Sequence, residues 1–273
     1  MPLAGGSAGG HGLTSDGVIP SFGIGRQAPQ DRIDDWIAGV APGRSLLDLG
    51  GIRERSGNER CSWAQRCGAV DVAMADNLSL DHELWAYFRN TTRERGVKGV
   101  DFRPEIDVDS PGLAQKLGQF DIVCATALLY HAPNPVHTLL NLRHVVGEYL
   151  IASTVVVPDV VENSEGRVAF PAASALFLPA LRGHERAVLR RHYLDRFQLD
   201  LDIHAPMGSG NMMPYVTSGE ASPWPYWWFF TKSAFERALE LLEMRILDRH
   251  TWQEHAHFVF LRRNQDVALQ NVA

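Results

Sequence analysis

Cysteine is scarce in this chain, and so is anything that would carry it to a membrane or a phosphate backbone. Only Cys61, Cys67 and Cys124 occur. An odd, scattered set without zinc or redox spacing excludes a disulfide framework, and the three read as reduced thiols. No apolar run reaches membrane-spanning length, and the N-terminus has neither the basic start nor the hydrophobic core of a secretory signal. The expected compartment is the cytoplasm, with no membrane partner. Basic residues are outnumbered too: 26 Lys and Arg against 32 Asp and Glu leave a net charge of -6. That balance gives no global attraction to phosphates, so nucleic acid is not the expected partner.

What is present fits a globular protein. With 45% apolar and 21% charged residues over 273 positions, the chain can bury a core as one large α/β domain or as one domain with an insertion. The start, with Gly5, Gly6, Gly9, Gly10 and Gly12, cannot offset its chain entropy unless it lies against something. Ile19, Phe22 and Ile24 could fold over a crevice, and Arg32 to Val40 reads as a helix with Ile33, Trp36 and Ile37 on one face.

From there strands and helices alternate. Strands are expected at Ser45 to Leu49, Val70 to Ala75, Val100 to Phe102, Phe120 to Ala127 and Tyr149 to Val157. Helices are expected around Asn58 to Cys67, Asp81 to Arg95, Pro111 to Leu117 and Pro135 to Val145. This rhythm predicts a doubly wound α/β fold with a mostly parallel sheet. After Pro158 it breaks, and a segment too long for a plain connector follows. Ala173 to Phe197 reads as a helix, made locally basic by Arg182, Arg186, Arg190, Arg191 and Arg196. A helix opening at Thr231 or Lys232, then strands at Arg245 to Asp248 and His257 to Leu261, would add an antiparallel edge and bring the sheet to seven strands. The expected division is an arm and helix over 1–40, a core over 41–157, a lid over 158–230 and closing elements over 231–273.

The most informative stretch is Ser45-Leu46-Leu47-Asp48-Leu49-Gly50-Gly51. An apolar strand stopping at a glycine turn lets main chain approach a ligand, and Asp76, at the tip of the next strand, can hold a ribose. The nicotinamide fingerprint G-x-G-x-x-G is missing, since Ile52 and Arg53 follow Gly51 and the next glycine is Gly57, so a dinucleotide is the weaker reading.

These residues resemble the class I S-adenosylmethionine-dependent methyltransferases, whose first motif is an apolar strand, an acid and a turn of the form D-x-G-x-G. Asp48, Gly50 and Gly51 match its first half. The resemblance implies that Asp76, with Asn77 beside it, accepts the two ribose hydroxyls. It also implies that Asp107 and Val108 take the adenine edge, with Ala125 at the end of the fourth strand beside the donor. Phe120-Asp121-Ile122-Val123, then Leu128-Leu129-Tyr130-His131-Ala132-Pro133-Asn134-Pro135, is similar to the subgroup with the tRNA wobble-uridine carboxymethyl transferases and many small-molecule methyltransferases. The likeness covers Ser45 to Val157 well and the closing helix and strands loosely.

The chain departs from that pattern at Ile52, which replaces the second glycine, and in the loop Arg53-Glu54-Arg55. Arg53 or Arg55 could pair with the methionine carboxylate, or with an extra carboxylate on a carboxylated donor; the alternative is a solvated loop. His131 lies just beyond the fourth strand, where it could serve as base for a hydroxyl acceptor or contact the substrate. Tyr130 is read as packing against core or cofactor, or as lining the acceptor site. In Pro223-Trp224-Pro225-Tyr226-Trp227-Trp228-Phe229-Phe230, some rings should line an acceptor pocket and others pack the lid, with Trp224 and Tyr226 outermost and Trp227 beside them. His250, His255 and His257 around Glu254 lack the Cys or acid pair that would complete a metal site.

The expected activity is methyl transfer from S-adenosylmethionine to a small organic acceptor, a hydroxyl of a sugar or secondary metabolite. The rivals are a tRNA wobble-uridine enzyme, with the arginine helix as footprint, and a non-catalytic partner subunit that keeps the fold. A homodimer is left open.

Overall fold

Apolar runs with no room for alternation, such as Leu46-Leu47 and Ile122-Val123-Cys124, suit strands covered on both faces, and that is where they lie in the computed structural model, which describes residues 29–52, 59–197, 201 and 226–264. The N-terminal arm with Ile19, Phe22 and Ile24, the loop residues Arg53, Glu54 and Arg55, and Trp224 fall outside the described residues.

In chain order the elements of the core are α1 (Pro29–Val40), β1 (Ser45–Leu49), α2 (Cys61–Arg66), β2 (Asp71–Ala75), α3 (Glu83–Glu94), β3 (Asp101–Arg103), α4 (Leu113–Leu117), β4 (Phe120–Ala125), α5 (Pro135–Val145) and β5 (Val146–Val155). The inserted part holds β6 (Val160–Asn163), β7 (Gly166–Ala169), β8 (Ala175–Phe177) and α6 (Gly183–Phe197). Then come β9 (Trp228–Phe230), α7 (Lys232–Leu239), β10 (Met244–Trp252) and β11 (Ala256–Arg263).

Seven strands form one sheet in the order β3-β2-β1-β4-β5-β11-β10. β1 pairs in parallel with both β2 and β4, and β4 with β5. The closing pair supplies the antiparallel element: β11 runs against β5, and β10 against β11. Alternation sorts the strand side chains between two cores. Leu47, Val123 and Leu150 face Leu113, Leu139 and Phe235 on one side, while Leu46, Ile122 and Ile151 face Trp36, Ala64 and Trp85 on the other.

Local chemistry fixes where the helices begin. His82 caps α3 by accepting the Leu84 N–H at 3.2 Å, and Asn134 caps α5 by accepting the His137 N–H at 3.2 Å, with Pro135 opening the helix. Thr231 caps α7 through the Ala234 N–H at 3.3 Å.

The insertion departs from expectation in two places. The helix predicted from Ala173 begins only at Gly183; Ala175–Phe177 is instead a strand paired with Trp228–Phe230, followed by a 3-10 turn at Leu178–Ala180. Pro179 and Gly183 interrupt the helical pattern, and an aromatic strand far along the chain offers a partner that local periodicity does not reveal. The hairpin β6–β7 was not predicted either, although its turn residues Asn163 and Gly166 flank alternating apolar positions. Together these elements bury a third apolar cluster that joins Val161, Leu178, Val188, Tyr193 and Phe229 to Tyr130 and Val155 of the core. The closing strands run longer than predicted, with a register shift between Ile246 and Asp248 on β10.

Candidate functional site

Connections leave β1 and β4 in opposite directions, so a crevice opens at their carboxyl ends. Gly50 makes the turn out of β1 with φ of 77°, a conformation that costs a side chain strain, while its N–H still donates to the Ala75 carbonyl at 2.8 Å. A Cβ built on Gly50 would lie 3.6 Å from Leu128 Cδ1, so the turns after β1 and β4 touch. The strand order puts the topological switch point between β1 and β4.

Asp48 shares the parity of Leu46 and faces α1 and α2. Its carboxylate is fully buried; Oδ2 accepts the Arg60 N–H at 2.7 Å, and Oδ1 has no hydrogen-bond partner among the described residues. Gly51 passes directly over it: a Cβ there would fall 2.4 Å from Oδ1, so only glycine fits unless something shifts. Burial pushes the Asp48 carboxyl up to about 7, opposed by the bond from Arg60.

Asp76 lies one residue past β2, 6% exposed, and its Oδ1 accepts the Leu78 N–H at 3.1 Å. The Asp76 carbonyl accepts the Ile106 N–H at 2.9 Å, which lays the Ile106–Val108 segment beside the β2 tip. Asp107 is exposed and caps its own turn through the Asp109 N–H at 2.9 Å; Val108 is buried and its carbonyl accepts from Asn141 at 2.8 Å. Asn77 is half-buried next to Asp76, and Ala125 is buried at the end of β4. Of the three acids, Asp48 lies within β1, Asp76 one residue past β2 and Asp107 four residues past β3.

Beyond β4, Leu129–His131 forms a 3-10 turn with Tyr130 and His131 both buried. Tyr226 stacks on His131 with centroids 5.0 Å apart at 28°, and meets Tyr130 edge-on at 4.9 Å. Main chain reinforces the contact: the Trp227 N–H donates to the Tyr130 carbonyl at 2.8 Å, and Trp228 Nε1 donates to the Pro133 carbonyl at 3.1 Å. Trp227 is buried, stacked parallel to Phe177 at 6.2 Å. Tyr226, expected among the outermost rings, is only 7% exposed, because it fills the gap between insertion and core. Trp224 and Arg53 lie outside the described residues.

Sequence reasoning missed the group that completes the β1 side. Arg60 is 3% exposed, and its Nη1 donates to Asp34 of α1 at 2.9 Å while its own main chain holds Asp48. Nothing in the local pattern marks it, because both partners are distant in sequence. Of the histidines near the end of the chain, His257 bonds Thr251 at 2.8 Å and Glu236 at 3.0 Å, and His255 sits in the turn before β11. In α6, Arg191 pairs with Asp195 at 2.6 Å and Arg196 lies 3.7 Å from Glu254. Burial holds the Cys61 and Cys124 thiols well above their ordinary range, so both stay protonated.

No family model matches the chain, and no curated protein matches it in sequence. Solved structures do match in fold. The N-terminal domain of EvdMO1 with SAH bound is 19% identical, covering 88% of this chain and 82% of that one with a TM-score of 0.52. The same domain in the presence of SAH and D-fucose is 20% identical, covering 89% and 85% at a TM-score of 0.50. An S-adenosylmethionine-dependent methyltransferase from Mesorhizobium loti is 13% identical, covering 86% of this chain and 97% of that one at a TM-score of 0.50. The chain shares their fold.

Proposed function

We propose that the chain is an S-adenosylmethionine-dependent methyltransferase acting on a small organic acceptor, a hydroxyl of a sugar or secondary metabolite. One observation carries the reading: a glycine turn over a buried carboxylate and a second acid stand at the tips of adjacent strands β1 and β2, beside the switch point. Solved relatives in fold include one bound to SAH and one solved with SAH and D-fucose, which supports both the donor and the sugar-like acceptor.

The residues suit that donor. Asp76 can accept both ribose hydroxyls, with Asn77 beside it, and Val108 with Asp107 borders the adenine. Gly50, Gly51 and Ala125 let main chain come close, and the unpartnered Oδ1 of Asp48 matches a cationic ammonium better than a neutral group. Arg53 is assigned to the methionine carboxylate on sequence alone. The bound donor supplies a sulfonium methyl for in-line transfer. The protein's part is to align the acceptor, which is worth on the order of 7 to 11 kcal/mol, and His131 would take the proton of the acceptor hydroxyl as the methyl passes from sulfur to oxygen. Tyr130, Tyr226 and Trp227 close the acceptor side with rings, and Trp224 is placed there by its sequence neighbours. The enclosed aromatic wall and net negative charge favour a small molecule over tRNA.

Mass spectrometry of the purified protein for retained nucleoside, calorimetry with S-adenosylmethionine and SAH, and then labelled methyl transfer to a panel of sugars test the proposal. Binding of either ligand with transfer to a sugar hydroxyl is expected. A protein that binds neither is a partner subunit, and transfer confined to tRNA overturns the acceptor assignment.

A further inference from the structure

Resting on that donor assignment, we propose that Arg60 is a positioning residue of the donor site: its main chain and guanidinium together tie the carboxylate beneath the glycine turn to helix α1. The geometry is specific. The Arg60 N–H reaches Asp48 Oδ2 at 2.7 Å, and Nη1 reaches Asp34 at 2.9 Å. Asp34 is fixed in turn, since its carbonyl accepts the Trp63 indole N–H at 2.8 Å. The guanidinium is buried, with Nε lacking a hydrogen-bond partner among the described residues. A buried arginine held, among the described residues, by one half-buried carboxylate is costly to keep, so its place next to Asp48 calls for a reason beyond stability.

The reason lies in charge. Among the described residues, the charges of Arg60 and Glu59 before α2 and Asp76 past β2 act on Asp48, and Asp48 in turn acts on the thiols of Cys61 on α2 and Cys124 on β4. Both buried thiols are neutral, and Glu59 and Asp76 push against ionisation of Asp48. Among the described residues, Arg60 is the cation that lowers Asp48. The carboxyl stands at about 7 with burial raising it and Arg60 lowering it, first through its main-chain N–H and then through its charge. Losing the charge therefore shifts Asp48 toward the neutral acid, and only the anion attracts the ammonium of a methionine moiety.

Calorimetric titration of the full chain with SAH from pH 6 to 9 tests this. In the wild type, affinity should decline as pH falls through about 7. Arg60→Met keeps the main-chain N–H but removes the cation, so the decline should begin about one pH unit higher. At pH 7 the affinity should fall by about five- to tenfold, while at pH 9 it stays within about twofold of wild type. Arg60→Lys should restore most of the affinity at pH 7. Should Arg60→Met fail to fold, Arg60→Gln, which keeps a polar head for Asp34, takes the same measurement. A loss of equal size at every pH, or an unchanged profile, overturns the positioning role. A wild type that binds no SAH at any pH overturns the donor assignment instead.

Discussion

The two sides of the crevice are built from different materials. The side formed by β1, β2 and β3 uses glycine and carboxylates whose partners are mostly main-chain N–H groups within a few residues: Asp76 to Leu78, Asp107 to Asp109. The side beyond β4 uses rings brought in from far along the chain, Tyr226 on His131 and Trp228 on Pro133. These contacts of the first need no residue of the insertion; those of the second do not exist without it. Replacing Tyr226 with alanine should therefore separate them. It removes a buried ring that touches Tyr130, His131 and Phe229 and should lower stability in urea by on the order of 3 kcal/mol. SAH affinity of the folded variant should stay within about twofold. A parallel loss of affinity would show that the two sides are one unit.

The converse substitution acts on the other side. Asp76→Ala takes away a carboxylate proposed to hold two hydroxyls, and hydrogen bonds to a charged group contribute about 1.5–3 kcal/mol. SAH affinity should drop by roughly tenfold to a hundredfold, with methyl transfer at saturating donor much less affected. The His131 turn, tied to the insertion through Trp227 and Trp228, should keep its structure. An affinity close to wild type would remove Asp76 from the site.

The same contrast governs what could be read in the sequence. The strands of the core were legible because Leu46 to Leu49 and Ile122 to Cys124 are apolar runs bounded by turns, and Asp76 was legible because it stands at a strand end. Their signals are local. β8 was not legible, since Ala175–Phe177 is extended only because Trp228–Phe230 pairs with it across more than fifty residues. Arg60 was hidden for the same reason, as Asp48 is 12 and Asp34 is 26 residues away. Tyr226 showed as an aromatic of interest, but its burial depends on where His131 comes to lie. Local chemistry thus marked the side proposed for the donor, while the side proposed for the acceptor waited for tertiary contacts.

Titration should set the two regions against each other with opposite signs. Burial raises Asp48 to about 7 in the fold, above its ordinary 3.8, so the native state holds a proton that the unfolded chain has lost, and this region loses stability as pH rises from about 4 to 7. His255, at the β10–β11 turn, goes the other way: burial lowers it to about 3 from 6.5, and His257 shifts in the same direction. There the unfolded chain binds more protons, so stability is lost as pH falls below about 6.5. Between pH 4.5 and 6.5 the contributions oppose, and the wild-type slope of stability against pH is their difference. Asp48→Asn keeps an acceptor for the Arg60 N–H and removes one side of the balance. Urea unfolding of this variant should show stability rising more steeply with pH across that window, by up to about 1.4 kcal/mol per pH unit. A slope equal to the wild type would mean that Asp48 is ionised in the fold throughout, and that the cation beside it already outweighs burial.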